Sequence, residues 1–265
     1  IREFLSMSDL PDVWLLSRML ESCVSDIVSR VYIVGGPYKI SIDNKYTEHR
    51  NGIDELTVLL EHKPAVLSKI ERHGRWLIFE IAVCNRRYVY VMVSGFDIGF
   101  EQTPHTTHVI AVGNRQICLS DSKRRGKIAV CNNVVVDAEL ATEGCDMLEV
   151  VTSDFAALLN PDARPVITVL GDNRVVSGLG TMIRSGVLYY ARINPLCPAS
   201  SLTRDQCETL CKAVKYVCLL VIQQGGTTTY KPAIYGQRQS LGGTVHNYMF
   251  GGRNVYTLFS PNNIT

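Results

Sequence analysis

The stretch that decides the fold runs Leu170-Gly-Asp-Asn-Arg-Val-Val-Ser-Gly-Leu-Gly180-Thr-Met-Ile-Arg-Ser-Gly-Val-Leu-Tyr-Tyr190-Ala-Arg-Ile-Asn-Pro195. Within it Gly180 to Tyr190 reads as a helix. Working outward, Phe155 to Leu159 and Val166 to Leu170 read as helices before it, and Thr203 to Gln224 as a helix after it. The last is the best defined. Thr203 and Gln206 are spaced as a capping box, in which each side chain satisfies the other residue's free N–H. Cys207, Leu210, Cys211, Val214, Val217, Cys218 and Val221 then fall on one apolar face, and Gly225-Gly226 stops the helix.

Before Cys145 the pattern changes. Short β-rich stretches cover Ile27 to Val34, Tyr38 to Ile42, Ala65 to Ile70, Trp76 to Val83, Tyr88 to Val93, His108 to Val112, Gln116 to Leu119 and Lys127 to Val130. Gly, Asn and Asp punctuate them, as in Gly35-Gly36-Pro37 and Asn51-Gly52. A helix precedes them: Ser8 or Asp9 caps it, Pro11 sits in its first turn, and Val13, Leu16, Met19, Leu20 and Cys23 recur at helical spacing. After Tyr235 the chain returns to Gly-rich short strands, which suggests a hairpin. The order predicts an α+β chain: a β-sandwich or barrel over 1–140, a helical domain over 141–229 and a terminal β-hairpin over 230–265.

At 265 residues the chain has room for one large domain or two small ones. Its 46% hydrophobic and 20% charged residues describe an ordinary globular protein. The net charge of +2 is mild for a nucleic-acid coat. Any such site must come from local clusters, Lys123-Arg124-Arg125 with Lys127, or Arg86-Arg87. The nine cysteines form no Cys-x-x-Cys pair and many lie in apolar segments, so they read as buried free thiols in a reducing compartment. Cys207 and Cys211 are four apart, but no second ligand pair follows, which argues against zinc. No apolar run approaches the ~20 residues that span a bilayer, so a membrane partner is not expected. The chain starts at Ile1, as a processed organelle-targeting peptide or an expression remnant would leave it.

Several runs, in order, resemble the formamidopyrimidine/endonuclease VIII family of DNA glycosylases. Met7-Ser8-Asp9-Leu10-Pro11-Asp12-Val13 resembles that family's start, Met then Pro-Glu-Gly-Pro-Glu-Val. Arg72-His73-Gly74-Arg75-Trp76-Leu77 resembles its Arg-Arg-Gly-Lys-Tyr-Leu run, Val91 to Gly95 its His-Leu-Gly-Met-Thr-Gly strand, and Asp121 to Gly126 its Asp-Pro-Arg-Arg-Phe-Gly loop. The stretch from Leu170 to Pro195 resembles its helix–two-turn–helix signature. Gly251 to Tyr256 resembles the tip of its terminal finger. The finger here holds no cysteine and a lone His246, similar to the zincless finger of some members, so neither a metal nor a cofactor is expected.

The resemblance implies a lyase whose nucleophile is a bared N-terminal α-amine. Here Ser8 stands in the proline's place behind a six-residue extension and Met7, and a peptide nitrogen has lost its lone pair to resonance. Asp9 replaces the family's glutamate, one methylene shorter and by ordinary bond lengths about 1.5 Å short of its reach. Arg75 replaces the lysine, keeping charge but unable to give up a proton. Val93 replaces the Met wedge, Thr181 the phosphate-holding asparagine, and Arg125 the stacking aromatic. Arg253 is kept outright, and Lys123 and Arg124 keep the charge of their loop.

Groups that do chemistry or evert a base are replaced, while phosphate-contacting positions mostly keep a cation or a hydroxyl. The implied nucleic-acid-binding set is Arg75, Lys123, Arg124, Arg125, Thr181 and Arg253, with no intact catalytic set. The expected protein is a non-catalytic binder of structured RNA or duplex DNA, or an architectural subunit among other proteins. A ribonucleoprotein such as a mitochondrial ribosome would suit it; a nuclear setting is the alternative. The other reading is an active glycosylase/lyase, acting through a Ser8 α-amine freed by processing after Met7.

Overall fold

A computed structural model describes residues 4–7, 9–36, 44–84, 87–230, 246–250 and 253–257; the side chains of residue 4, 44–51 and the last two segments are outside this description. The strand expected at Tyr38 to Ile42 therefore lies outside the described residues. The chain forms two compact units. The first holds Ile1–Ser8 and Asp12–Ala141, the second Asp9–Pro11 and Thr142–Thr265.

In the first unit, β1 (Phe4–Ser6) leads to α1 (Leu10–Leu20), whose first two residues belong to the second unit. Then come β2 (Val28–Ile33), α2 (Asn44–His62), β3 (Ala65–His73), β4 (Trp76–Val83), β5 (Arg87–Ser94), β6 (Asp97–Gly99), β7 (Thr106–Val112), β8 (Arg115–Ser120), β9 (Lys127–Cys131) and α3 (Asn133–Ala141). The strands make two antiparallel sheets, ordered β1-β6-β8-β7-β2 and β3-β4-β5-β9. Their inner faces share one core: Leu67, Leu77, Phe79 and Val91 from one sheet meet Ile98, Ile110, Ile117 and Leu119 from the other. That is the expected sandwich. Val13, Leu16, Leu20 and Cys23 of the first helix are all fully buried in the same core, as their spacing predicts.

Strand β4 reads as nearly continuous apolar sequence because both its faces are covered. Leu77, Phe79 and Ile81 point into the core, while Trp76 and Ile78 pack with Met92 and with Val136 of α3.

Two helices were not legible. Asn51-Gly52, read as a turn, lies inside α2. Gly52 packs closely there: a Cβ at that position would stand 3.2 Å from Val130 Cβ of β9. Ile53, Leu56 and Leu60 bury one face of α2, and Thr57 donates its hydroxyl to Ile53 O. The short helix α3 also falls in a region read as sheet. Strand β1 was not foreseen either. It pairs Phe4, Leu5 and Ser6 with Gly99, Ile98 and Asp97.

The second unit carries β10 (Cys145–Asp146), α4 (Thr152–Leu159), α5 (Val166–Val169), β11 (Val176–Ser177), α6 (Thr181–Ala191), α7 (Arg204–Gln223), β12 (His246–Phe250) and β13 (Arg253–Thr257). Its core gathers Leu10, Phe155, Val166, Val169, Ile183, Val187, Leu210, Val214 and Val217. The capping box is present: Gln206 N–H donates to Thr203 Oγ1 at 3.2 Å, and Thr203 N–H to Gln206 Oε1 at 2.8 Å. Strands β12 and β13 pair antiparallel from His246↔Thr257 to Phe250↔Arg253, the hairpin expected in the tail.

Candidate nucleic-acid interface

The basic loop after β8 is held from below by its own aspartate. The buried Asp121 accepts from Arg125 N–H at 2.8 Å and Gly126 N–H at 3.0 Å. Arg124 adopts φ 54°, which turns the chain sharply. Gly95, at φ +78°, lets the loop close: a side chain there would meet Arg125 O at 2.7 Å. Lys123, Arg124 and Arg125 are thereby pushed out as exposed side chains, and none forms an ion pair among the described residues. A row of cations whose side chains form no ion pair among the described residues costs self-repulsion, which a polyanion would relieve.

Arg75 lies in the β3–β4 turn directly ahead of β4, half-buried, with its guanidinium 5.7 Å from the centre of the Trp76 ring. That distance is within the range of a cation–π interaction. Val93 is not a shortened wedge on the surface. It is fully buried between Leu77 and Ile128 in adjacent strands, and it serves the core.

The N-terminal run is also tied down. Met7 is 3% exposed, joins the first unit's core, and donates its N–H to Phe96 O at 2.8 Å. Ser8 itself lies outside the described residues.

In the second unit the helical signature is assembled by a polar frame. Asp172 accepts from Arg174 and from Arg164, and Arg164 also chelates Asp162. The two guanidiniums, Arg174 first, hold the Asp172 carboxyl well below the usual carboxylate range. Asn173 Oδ1 accepts from Gly178 N–H at 3.1 Å, which sets the turn into α6.

Thr181 begins α6. Its hydroxyl accepts from Arg184 Nη2 at 3.1 Å, while Arg184 Nη1 donates to Ile167 O at 2.8 Å. Arg184, part of the signature but given no role by it, is what orients Thr181. Asp9 belongs to this unit too. Leu10 N–H donates to Gly178 O at 2.8 Å, and the Asp9 carboxylate lies so close to Gly180 that a Cβ there would stand 2.5 Å from its Cγ. The carboxylate thus sits at the N-terminus of α6, where free N–H groups and the helix dipole favour an anion. Despite its missing methylene, Asp9 reaches that helix. The side chains of Arg253 and His246 lie outside the described residues. Among the described residues no three His, Cys, Asp or Glu side chains cluster as metal ligands.

The arrangement compares closely with known proteins. Residues 144–232 match the family described as the formamidopyrimidine-DNA glycosylase H2TH domain. The formamidopyrimidine-DNA glycosylase of Thermus thermophilus is 25% identical over 84% of this chain and 78% of its own length. That of a Wolbachia from Culex pipiens is 27% identical over 92% and 89%.

Residues 144–232 belong to the formamidopyrimidine-DNA glycosylase H2TH domain family, and the chain as a whole is similar to glycosylases of that name.

Its fold is the family's. The crystal structure of the Thermus thermophilus family member superposes with a TM-score of 0.72 at 21% identity, covering 94% of this chain and 96% of that one. The Lactococcus lactis glycosylase, bound non-covalently to DNA containing an abasic site, gives 0.74 at 16% identity, with 94% and 97% covered.

Proposed function

We propose that this protein binds nucleic acid without catalysing glycosylase or lyase chemistry. The observation that carries the reading is Met7. The mechanism implied by the family resemblance needs a free amine at Ser8, but the residue before it is 3% exposed in the core and hydrogen-bonded to Phe96, behind a strand paired into the sheet. Freeing the amine would remove a core side chain and an edge strand together. Asp9, at the acid's position, is taken up by the N-terminus of α6. The second supporting observation is the unpaired loop Lys123-Arg124-Arg125.

The partner is a phosphate backbone, duplex DNA as in the Lactococcus lactis complex or structured RNA. We place the protein as an architectural subunit of a larger assembly, a ribonucleoprotein such as a mitochondrial ribosome. Two measurements test the reading. Borohydride trapping on abasic DNA should give no covalent adduct; an adduct overturns the non-catalytic reading. Mobility shifts with duplex DNA and with structured RNA should show binding that weakens steeply with salt; no binding to either at low salt overturns the nucleic-acid reading.

A further inference from the structure

The first unit holds a cavity of about 300 Å³ to which the nucleic-acid reading gives no role. Leu56 and Leu59 of α2, Val89 of β5 and Val130 of β9 line it with apolar surface. Glu55 and Arg87 stand exposed among its lining residues, and neither makes an ion pair among the described residues. Tyr88, 44% exposed, lines it as well. Val134 and Val135, 68% and 43% exposed, follow its last lining residue, Asn132, in the chain. A cavity of this size with an apolar floor and a few polar groups has the make-up of a recognition pocket.

Its position separates it from the basic loop. Strand β9 starts at Lys127, next to that loop, and ends at Cys131 in the cavity wall, so the strand carries the chain about 13 Å from one to the other at ~3.3 Å per residue. A partner held here leaves Lys123, Arg124 and Arg125 free.

We infer that this cavity is a docking site for a segment of another protein, one that inserts a bulky apolar side chain between an acidic and a basic neighbour. The apolar side chain fills the space over Leu56, Leu59, Val89 and Val130. The acidic neighbour meets Arg87 and the basic one meets Glu55. Each charge on the pocket has an opposite charge to gain and, among the described residues, none to lose, which gives the site its orientation preference.

The test uses the full chain with methyl-labelled Leu and Val, titrated with acetyl-Gly-Asp-Phe-Lys-Gly-amide, its sequence-reversed isomer, and the Phe→Ala form of each. Expected are saturable shifts of the Leu56, Leu59, Val89 and Val130 methyls with one Phe isomer ahead of the other, and none with the Ala forms. Arg87→Glu, an exposed change that leaves the fold intact, should weaken the preferred isomer about threefold, in the range of single exposed charge pairs. Arg87→Glu and Glu55→Lys together should reverse which isomer is preferred. Silence of these methyls at millimolar peptide overturns the proposal. So do equal shifts with the Ala peptides, or an uncharged aromatic such as indole binding as tightly as the peptides, which would make this a small-molecule cavity.

Discussion

Replacing Gly180 with Ala should destabilise the second unit through Asp9 alone. A Cβ at Gly180 would stand 2.5 Å from Asp9 Cγ, well inside van der Waals contact, so the carboxylate must leave the first turn of α6. Overpacking of this kind costs about 1–3 kcal/mol. Loss of an anion from a helix N-terminus adds about 0.3–1 kcal/mol, and up to about 2 in partly buried settings. We expect about 2 kcal/mol for Gly180→Ala and about 1 kcal/mol for Asp9→Ala. The backbone itself accepts alanine, since Gly180 has φ −73° and ψ 168°, ordinary extended values. With Asp9 already truncated, the three closest contacts of the added methyl are gone, so the double variant should be no worse than Asp9→Ala. The coupling is therefore about 2 kcal/mol, far beyond the ~0.5 kcal/mol scatter of independent sites.

Both tryptophans, Trp14 and Trp76, lie in the first unit, so indole fluorescence is the wrong probe. Helical ellipticity in urea and hydrogen exchange of the α6 amides report the second unit. Additive effects of the two substitutions would refute the reasoning, because they would mean that the Asp9 carboxylate does not occupy the turn.

Met7→Ala should cost about 2–5 kcal/mol, the range for emptying a fully packed core site, and lower the urea midpoint of tryptophan fluorescence; an unchanged midpoint would detach Met7 from the core and reopen processing at Ser8. Replacing Lys123, Arg124 and Arg125 together with Ala should reduce the slope of log affinity against log salt by about 2–3, with ~0.9 per phosphate contact on duplex DNA; an unchanged slope removes the loop from the interface. Burial, with the Glu80 hydrogen bond second, pushes the Tyr90 hydroxyl up to about 12, and burial does the same to Tyr230. The native state holds these protons more tightly than the unfolded chain does at about 10, so their contribution is complete below pH ~10 and is lost as pH rises towards 12. Urea midpoints across that window should fall less steeply in Tyr230→Phe than in the parent. Burial likewise pushes the Cys131 and Cys145 thiols up to about 11, so at pH 8 a disulfide reagent should modify exposed Cys84 well before either.

How far the sequence could be read depended on where each residue's constraint lies. Helix α7 was legible almost to the residue, because its cap, its apolar stripe and its stop are all local. The strand pattern was legible for the same reason: β-rich runs and the Gly, Asn and Asp that punctuate them are local too. What escaped depends on partners distant in the chain. Gly52 looks like a turn until β9 is seen to pass within contact of it. Strand β1 is too short to show a period, and it exists because β6 offers an open edge. At the site, the sequence picked out Asp9 as a shortened acid, but bond lengths alone could not show that Pro11 and Leu10 carry it into the second unit, up against Gly180. Val93 was picked out as a lost wedge, and its cross-strand neighbours show it to be a core residue.

These placements bear on how the active-site changes hang together. A free amine at Ser8 requires that nothing precede it, whereas a stable edge requires that something cover β6. Phe4 to Met7 satisfy the second demand, with Leu5 against the core and Met7 inside it. Once those contacts form, restoring the amine costs core stability on the order of several kcal/mol, and a domain that is only about 5–15 kcal/mol stable has little to spare. On the proposed non-catalytic reading the acid next to it has no proton to move, and a shorter side chain that seats against α6 is then free of the reach that chemistry demands. Phosphate contacts face no such conflict, because an exposed cation on a pinned loop is independent of the core. On the proposed non-catalytic reading, loss at the catalytic positions and retention of the loop's charge follow from one structural feature, the ordering of the segment ahead of Ser8.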